Sequence, residues 1–501
     1  MIELTVAQIA DIVGGELADI SPAEARATVV TGTVEFDSRA VTPGGLFLAL
    51  PGASADGHDF AAGAVAAGAV AVLAARPVGV PAIVVKPQPG QVDSESGALA
   101  HDTDGSGAAV LAALGRLARA VAATLGAGGL RIIGVTGSSG KTSTKDLLAA
   151  VLAPLGQVVA PPGSFNNELG HPWTVLRATP DTDFLVLEMS ARHPGNIAAL
   201  AQIAVPSIAV VLNVGTAHLG EFGSREIIAQ TKSELPQAVP STGVVILNAD
   251  DAAVDAMAAQ TAARVVRVSR SGEADLWASD VVLDALARPR FTLHHGTDAA
   301  AVELAVHGDH QVSNALCAAA VALECGATLS QVASALAAAG PVSGKRMQVS
   351  TREDGVVVIN DAYNANPDSM RAGLKALAWM AKSGGRPATR SWAVLGEMGE
   401  LGEDAIAEHD SIGRLAVRLD VSRLIVVGSG RAMGAMHHGA VMEGSWGSEV
   451  STVADADEAL ELLRAELAPG DVVLVKASNA AGLGALADTL AADGPAEEQG
   501  D

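Results

Sequence analysis

Short β-branched apolar runs alternate with longer amphipathic stretches along most of this chain. Ile132, Ile133 and Val135 predict a buried strand, Ile132–Thr136. Gly134, Gly137 and Gly140 punctuate the strand end and the turn beyond it. The period then lengthens: Leu147, Leu148, Val151 and Leu152 predict a helix that opens at Lys141-Thr142 and closes at Pro154 and Gly156. The same alternation predicts strands at Phe184–Glu188, Ile208–Asn213 and Val244–Leu247, hence a mainly parallel sheet covered on both faces. From Asp280 to Val306 the runs shorten into hairpins, and Gly308-Asp-His310 opens a helix carrying Asn314 and Cys317.

Either side of this central unit the pattern changes. The first segment mixes short strands and helices, including a strand at Ala69–Leu73, and ends near Pro89. Residues 90–107, rich in Pro, Gly, Ser and Asp, read as a mobile linker, followed by an amphipathic helix at Ala108–Leu125. Strands at Val356–Asn360, Trp392–Leu395, Leu424–Val427 and Val472–Val475 predict a Rossmann-like unit. The acidic residues 493–501 read as a disordered tail. The expectation is an α/β chain of three domains: a small mixed one at 1–89, a central one at 108–340 and a third at 341–492.

Length and charge narrow the partners. At 501 residues, with 49% apolar, the chain is too long for one core and has ample burial for several. A net charge of −24 repels nucleic acid and anionic membranes, so bound anions must be small and held in local pockets. The single tyrosine, Tyr363, argues against base-stacking platforms. Cys317 and Cys325, eight residues apart on one helix, lie about 12 Å apart, beyond disulfide reach, and suit a reducing compartment. The N-terminus lacks the basic and apolar regions of a signal peptide. The Ala-rich run 61–75 is too short to span a bilayer, and Arg116 and Arg119 interrupt the next run. A soluble cytoplasmic protein without an integral membrane segment is expected.

The strand, glycine turn and helix start form an anion cradle. Backbone amides of Thr136, Gly137, Ser138, Ser139, Gly140 and Ser143 face phosphates, Lys141 adds a point charge, and the Thr142 hydroxyl suits Mg²⁺. The general nucleotide-loop pattern wants glycine where Val135 stands. Three further candidates fall at strand ends, where ligands of parallel sheets bind: Glu188, Asn213-Val-Gly-Thr-Ala-His218, and Asn248-Ala-Asp-Asp251. Singly, Glu188 suits a helix cap and His218 a loop. Together with Thr142 they suit a magnesium site beside phosphates.

The string Thr136-Gly-Ser-Ser-Gly-Lys-Thr142 resembles the loop of the Mur ligases, ATP-dependent enzymes that build the peptidoglycan peptide. The resemblance extends over about 480 residues and implies ATP and Mg²⁺ as cofactors. It implies that Glu188 and His218 serve a second metal, and that Lys232, otherwise an ordinary solvated helix lysine, is carbamylated as a bridging ligand. Asp37-Ser38-Arg39, alone a plain turn, followed by Pro43-Gly-Gly-Leu-Phe47, resembles the family's N-terminal segment, so Ser38, Arg39 and Phe47 are expected to bind the UDP-muramoyl substrate. Asn166 and Asn167, in Ser164–Gly170, are expected to contact it too. The resemblance places Asn314 against adenine and Arg346 on ATP.

Asp361-Ala-Tyr-Asn-Ala-Asn-Pro-Asp-Ser369 resembles the family branch that adds D-alanyl-D-alanine to UDP-N-acetylmuramoyl-tripeptide. Asp361, Tyr363 and Asn364 are then expected on ATP, with Asn366 and Pro367 on substrate. Gly396–Gly402 and His409 extend the match, whereas Asn479 stands where the family usually has a basic residue. That departure leaves open a binding-only relative, which single-turnover ADP release separates from an enzyme. The rivals are a tripeptide-forming Mur ligase and a folylpolyglutamate-type synthetase, both disfavoured by the Asp361–Ser369 string. A GTPase would need lysine in Asn248-Ala-Asp-Asp251. The implied reaction runs through an acyl phosphate, and the chain is expected to be a monomer.

Overall fold

The computed structural model describes residues 1–53, 55–87, 99, 101–216, 219–383 and 389–493. Its centre is a nine-stranded sheet in which Arg131–Thr136 lies between Phe184–Glu188 and Ile208–Val211. Beyond Phe184–Glu188 comes the short edge strand Val158–Val159. On the other side follow Val244–Asn248, Arg264–Ser269 and Leu276–Leu283. These seven strands are parallel, and the hairpins expected after Asp280 complete the sheet as antiparallel Pro289–His295 and Asp298–Glu303. Because the chain leaves Arg131–Thr136 in both directions, its carboxyl end is a topological switch point, where parallel sheets open a crevice. Register sets Glu188 beside Val135 and Val211 beside Thr136, so three strand ends meet around one turn.

The first domain holds a five-stranded sheet in the order Glu16–Ala18, Ala82–Val84, Ala69–Ala74, Gly45–Leu48, Val34–Glu35. It does not stand apart from the centre. A continuous apolar core runs from Val6, Leu46 and Leu73 through Leu114 and Leu117 to Ile132, Leu187 and Leu247. The helix carrying Leu114 and Leu117, Ser106–Ala127, is the one described helix long and apolar enough to cross a membrane. The expected interruption by arginine does not shorten it, because Arg116 donates to the Val13 carbonyl at 3.0 and 2.7 Å. Most of it lies inside the fold. An aromatic trio adds a second weld: Trp173 packs against Phe36 (5.8 Å) and Phe165 (4.8 Å) and donates to the Val34 carbonyl.

Of the expected linker, residues 90–98 and 100 lie outside the described residues. Leu99 and Asp102 are buried rather than free, and Asp102 accepts from the Ala108 amide at 2.8 Å, starting the helix early. Residues 494–501 of the expected tail also lie outside. Asp493 itself pairs with Arg464.

The third domain is a six-stranded sheet in the order Gln348–Thr351, Val357–Asn360, Val472–Lys476, Ser391–Leu395, Arg423–Val427, Val450–Val453, parallel apart from the first pairing. Its two faces have cores of their own, one around Leu374 and Val426, the other around Trp392 and Leu486. Among the described residues, only Ala287 and Leu283 of the central unit join them.

Candidate active site

Thr136 ends its strand buried, its hydroxyl donating to the Met189 carbonyl at 2.9 Å. The turn Gly137–Gly140 then feeds helix Lys141–Leu152. Gly140 has φ +83°, and a Cβ there would also sit 2.8 Å from Asn314 Oδ1, so glycine is required twice over. Asn213, just past the neighbouring strand, clamps the turn. Its Oδ1 accepts from the Ser138 and Ser139 amides at 3.0 and 2.9 Å, and its Nδ2 donates to the Ser139 carbonyl. Lys141 Nζ rests on the Gly137 carbonyl at 2.7 Å. Burial pushes the Lys141 ammonium down to about 8, against Glu188, which favours the charge, and with Arg346, which opposes it.

Glu188 is fully buried behind Thr142, Ser164 and Asn166, which line the cleft. Its Oε2 accepts from the Thr142 hydroxyl (3.3 Å), the Ser164 hydroxyl (3.2 Å) and Asn166 Nδ2 (3.4 Å). Its Oε1 is enclosed with no hydrogen-bond partner among the described residues. Burial raises its pKa, opposed by Lys141, Arg346 and Lys145 and by the Thr142 hydrogen bond. An enclosed carboxylate with a free oxygen beside a threonine hydroxyl and a phosphate loop fits a hard divalent cation. Among the described residues no three His, Cys, Asp or Glu side chains cluster as a metal site. Magnesium shared with phosphates needs few protein ligands, so the fit stands. His218 lies outside the described residues. Lys232, on helix Arg225–Ala238, is 7% exposed rather than solvated, and burial together with Lys141 pushes its amine well below the usual lysine range.

The third domain supplies the facing wall. Asp361, Tyr363, Asn364 and Asn366 all line the cleft. Asp361 follows strand Val357–Asn360 and meets Lys476, at the end of the adjacent strand, at 2.6 Å. Lys476 Nζ also donates to the Asn364 carbonyl at 3.0 Å, which holds the loop closed on itself. Arg346 lies 4.1 Å over the Tyr363 ring, its buried Nε without a hydrogen-bond partner among the described residues. It sits between Lys345 (φ +59°) and Met347 (φ +46°), two non-glycine residues in the left-handed region. Asn366 caps helix Pro367–Ser383: its Oδ1 accepts from the Ser369 amide at 2.9 Å, and its own amide donates to Ser369 Oγ. His409, fully buried, accepts from the Met398 amide and so fixes the Gly396–Gly402 loop rather than facing substrate.

The cleft between these walls has a volume of about 1350 Å³. That exceeds the ~300–1,000 Å³ of a pocket for one small ligand, so it can take several substrates at once. Ser138 through Ser143, Asn166, Asn167, Asn314 and Arg346 all line it. Ser38, Arg39, Phe47 and Pro367 do not. Arg39 is held by Asp37 on the surface, and Phe47 is buried in the core of the first sheet. Sequence reasoning missed Asn213 as the loop's clamp, and it missed Lys145, buried against Asp146 and the Pro161 carbonyl. Lys145 had a signal, standing one helical turn after Lys141 on the same face. Lys476 had one too, as a cation closing a strand.

Three family descriptions match this chain: "Mur ligase family, catalytic domain" over residues 32–118, "Mur ligase middle domain" over 135–322, and "Mur ligase, glutamate ligase domain" over 345–479. The UDP-N-acetylmuramoyl-tripeptide--D-alanyl-D-alanine ligase of Mycobacterium tuberculosis is 75% identical over 504 residues, covering 98% of each chain. The Escherichia coli ligase of the same description is 35% identical, covering 85% of this chain and 86% of that one. The crystal structure of MurF from Acinetobacter baumannii superposes with a TM-score of 0.80 at 28% identity, covering 98% and 99%. That of MurF from Thermotoga maritima in complex with ADP gives 0.74 at 27%, covering 92% and 98%.

Proposed function

The chain belongs to the Mur ligase family, as an ATP-dependent carbon–nitrogen ligase that joins D-alanyl-D-alanine to UDP-N-acetylmuramoyl-tripeptide in peptidoglycan synthesis, and we propose that the cleft described above carries out the reaction. One observation supports this placement above others: the phosphate loop and the Asp361–Ser369 loop line a single cleft, with the enclosed carboxylate of Glu188 directly behind Thr142 in its wall.

A carboxylate is a poor electrophile, so the tripeptide's terminal carboxylate first takes up the γ-phosphoryl group of ATP as an acyl phosphate. Thr136 to Ser143 cradle the phosphates, and Lys141 offsets the charge that builds between two approaching anions. Asn314, Arg346, Asp361, Tyr363 and Asn364 hold the nucleotide between the two domains. Asn166 and Asn167, with Asn366 of the third domain, position the peptide in the cleft, and Ser38 and Arg39 of the first domain, outside the cleft, take the UDP end of that substrate. Thr142, Glu188, His218 and Lys232 would hold Mg²⁺, Lys232 as a carbamate. Bound there, the ion would neutralise phosphate charge and polarise the transferred phosphoryl group. Burial of Lys232 favours the neutral amine, the form that adds CO₂ and releases a proton to become a carbamate anion. The amine of D-alanyl-D-alanine then attacks the acyl phosphate, and phosphate leaves. Closure of the cleft keeps water from the acyl phosphate.

The domains run 1–89, 108–340 and 341–492, and the protein works as a cytoplasmic monomer. Phosphate release measured over a matrix of UDP-muramoyl peptides against amino acids and dipeptides tests the assignment. Turnover confined to tripeptide with D-alanyl-D-alanine is expected. Preference for a dipeptide substrate with a single amino acid would overturn it.

A further inference from the structure

The Asp361–Ser369 loop carries a second carboxylate with a different environment. Asp361 is engaged by Lys476 and by the Met347 amide at 3.0 Å. Asp368, near the start of helix Pro367–Ser383, lines the cleft with its side chain 39% exposed. Its Oδ2 crosses to the central domain, where the Thr216 amide donates at 3.4 Å. A Cβ on Gly215 would lie 1.9 Å from that oxygen and 3.3 Å from the Cβ of Ser138 in the phosphate loop. A carboxylate of the third domain thus touches the wall of an anion cradle. The neighbouring Arg371 neutralises it only in part: it lies 3.3 Å from Oδ1 and holds Glu408 more closely, at 2.8 Å.

A carboxylate beside bound phosphates is repelled unless a cation enters with the substrates. The reaction brings one, the amino group of D-alanyl-D-alanine, which is an ammonium in solution and must reach the acyl phosphate at the edge of this loop. Resting on the ligase reading above, we propose that Asp368 receives and orients the amino group of the incoming dipeptide. The ammonium gives one proton to water. The amine lone pair then forms the C–N bond while the carbonyl π pair moves to oxygen, and the cationic nitrogen stays hydrogen-bonded to Asp368. Collapse breaks the C–O bond to phosphate, which leaves with that pair and takes the remaining extra proton from nitrogen. Acyl phosphate and amine become amide and hydrogen phosphate.

Hydroxylamine, uncharged at neutral pH, provides the test, because it traps an acyl phosphate without needing a carboxylate to receive it. The full chain with Asp368→Asn should raise KM for D-alanyl-D-alanine by about tenfold or more, with KM for ATP and for the muramoyl tripeptide within about twofold of the parent. Hydroxamate formation from tripeptide and ATP should match the parent, and Asp368→Glu should recover part of the dipeptide affinity. Hydroxamate formation that falls in step with ligation would overturn the proposal, since Asp368 would then be holding the cleft closed. So would an unchanged dipeptide KM with a raised magnesium requirement, which would make the cation a metal. A parent protein that forms no hydroxamate would bring down the ligase reading and this inference with it.

Discussion

Lys141 keeps its charge against its surroundings. Its folded value of about 8 lies below that of a free lysine, so between about pH 8 and 10.4 the folded protein binds fewer protons than the unfolded chain. The penalty for the buried cation is therefore present below about pH 8 and relieved as pH rises above it. Phosphates reverse the balance by favouring the ammonium. Nucleotide binding at about pH 9 should take up protons, and at about pH 6.5 should not. Calorimetry in buffers of different ionisation enthalpy reads this directly, and Lys141→Met should abolish the uptake. Lys141→Ala should lower turnover by roughly 10³-fold or more while leaving muramoyl-substrate binding nearly intact. A loss of less than about tenfold would remove this loop from the chemistry. Lys232→Ala distinguishes two roles for a buried lysine. If it bears a carbamate, the variant is nearly inactive and acetate or formate restores part of the turnover. Activity close to the parent in CO₂-depleted buffer would end the carbamate reading.

At the scale of single elements, helix Pro367–Ser383 shows how one residue serves both local structure and the site. Asn366 and Ser369 exchange hydrogen bonds across the helix start, with proline at its first position. Asn366→Ala should cost about 1 kcal/mol of stability, measured by urea unfolding, and Asn366→Asp should restore most of it. A KM change without loss of stability would make Asn366 a substrate contact alone. The helix start was legible from Asn-Pro in the sequence. Its approach to the Gly215 wall was not, because 152 positions separate Asp368 from Thr216. The phosphate loop divides in the same way. Its glycines and lysine were readable from local order, whereas the clamp by Asn213 depends on which strand lies beside Arg131–Thr136.

Across the whole molecule, apolar continuity decides where motion is possible. The first and central domains share one core through Ser106–Ala127, while the third keeps its own and faces them mainly across the polar cleft. The closing motion proposed above is expected to bend at Gly344–Met347, where Lys345 and Met347 hold left-handed backbone. Between the central and third domains two glycines touch. A Cβ on Gly220 would lie 2.4 Å from the Gly402 amide nitrogen, and the Gly220 amide donates to the Glu400 carbonyl at 3.3 Å. Arg192 pairs with Glu400 at 3.0 Å beside them. Backbone cannot yield as a side chain can, so Gly220→Ala should hold the domains apart. Turnover should fall by about tenfold with the melting temperature nearly unchanged, and small-angle scattering should show a larger radius of gyration with substrates bound. Scattering and turnover identical to the parent would remove this contact from closure.

The sequence alone determined the local elements and the chemistry they carry. Apolar periodicity marked the parallel strands, the glycine turn and Lys141-Thr142 marked an anion site, and Asp361–Ser369 marked the branch of the family. Each depends on neighbours within about ten residues. Tertiary structure decided what those elements meet. It buried Lys232, which looked solvated, and enclosed Glu188 with one oxygen free. It turned Phe47 into a sheet core, and it joined Asp361 to Lys476 and Asp368 to the Gly215–Thr216 turn beside the phosphate loop. These outcomes depend on strand order and domain approach. Burial and pairing energies belong to residues far apart in the chain, and nothing local in the sequence encodes which of them become neighbours.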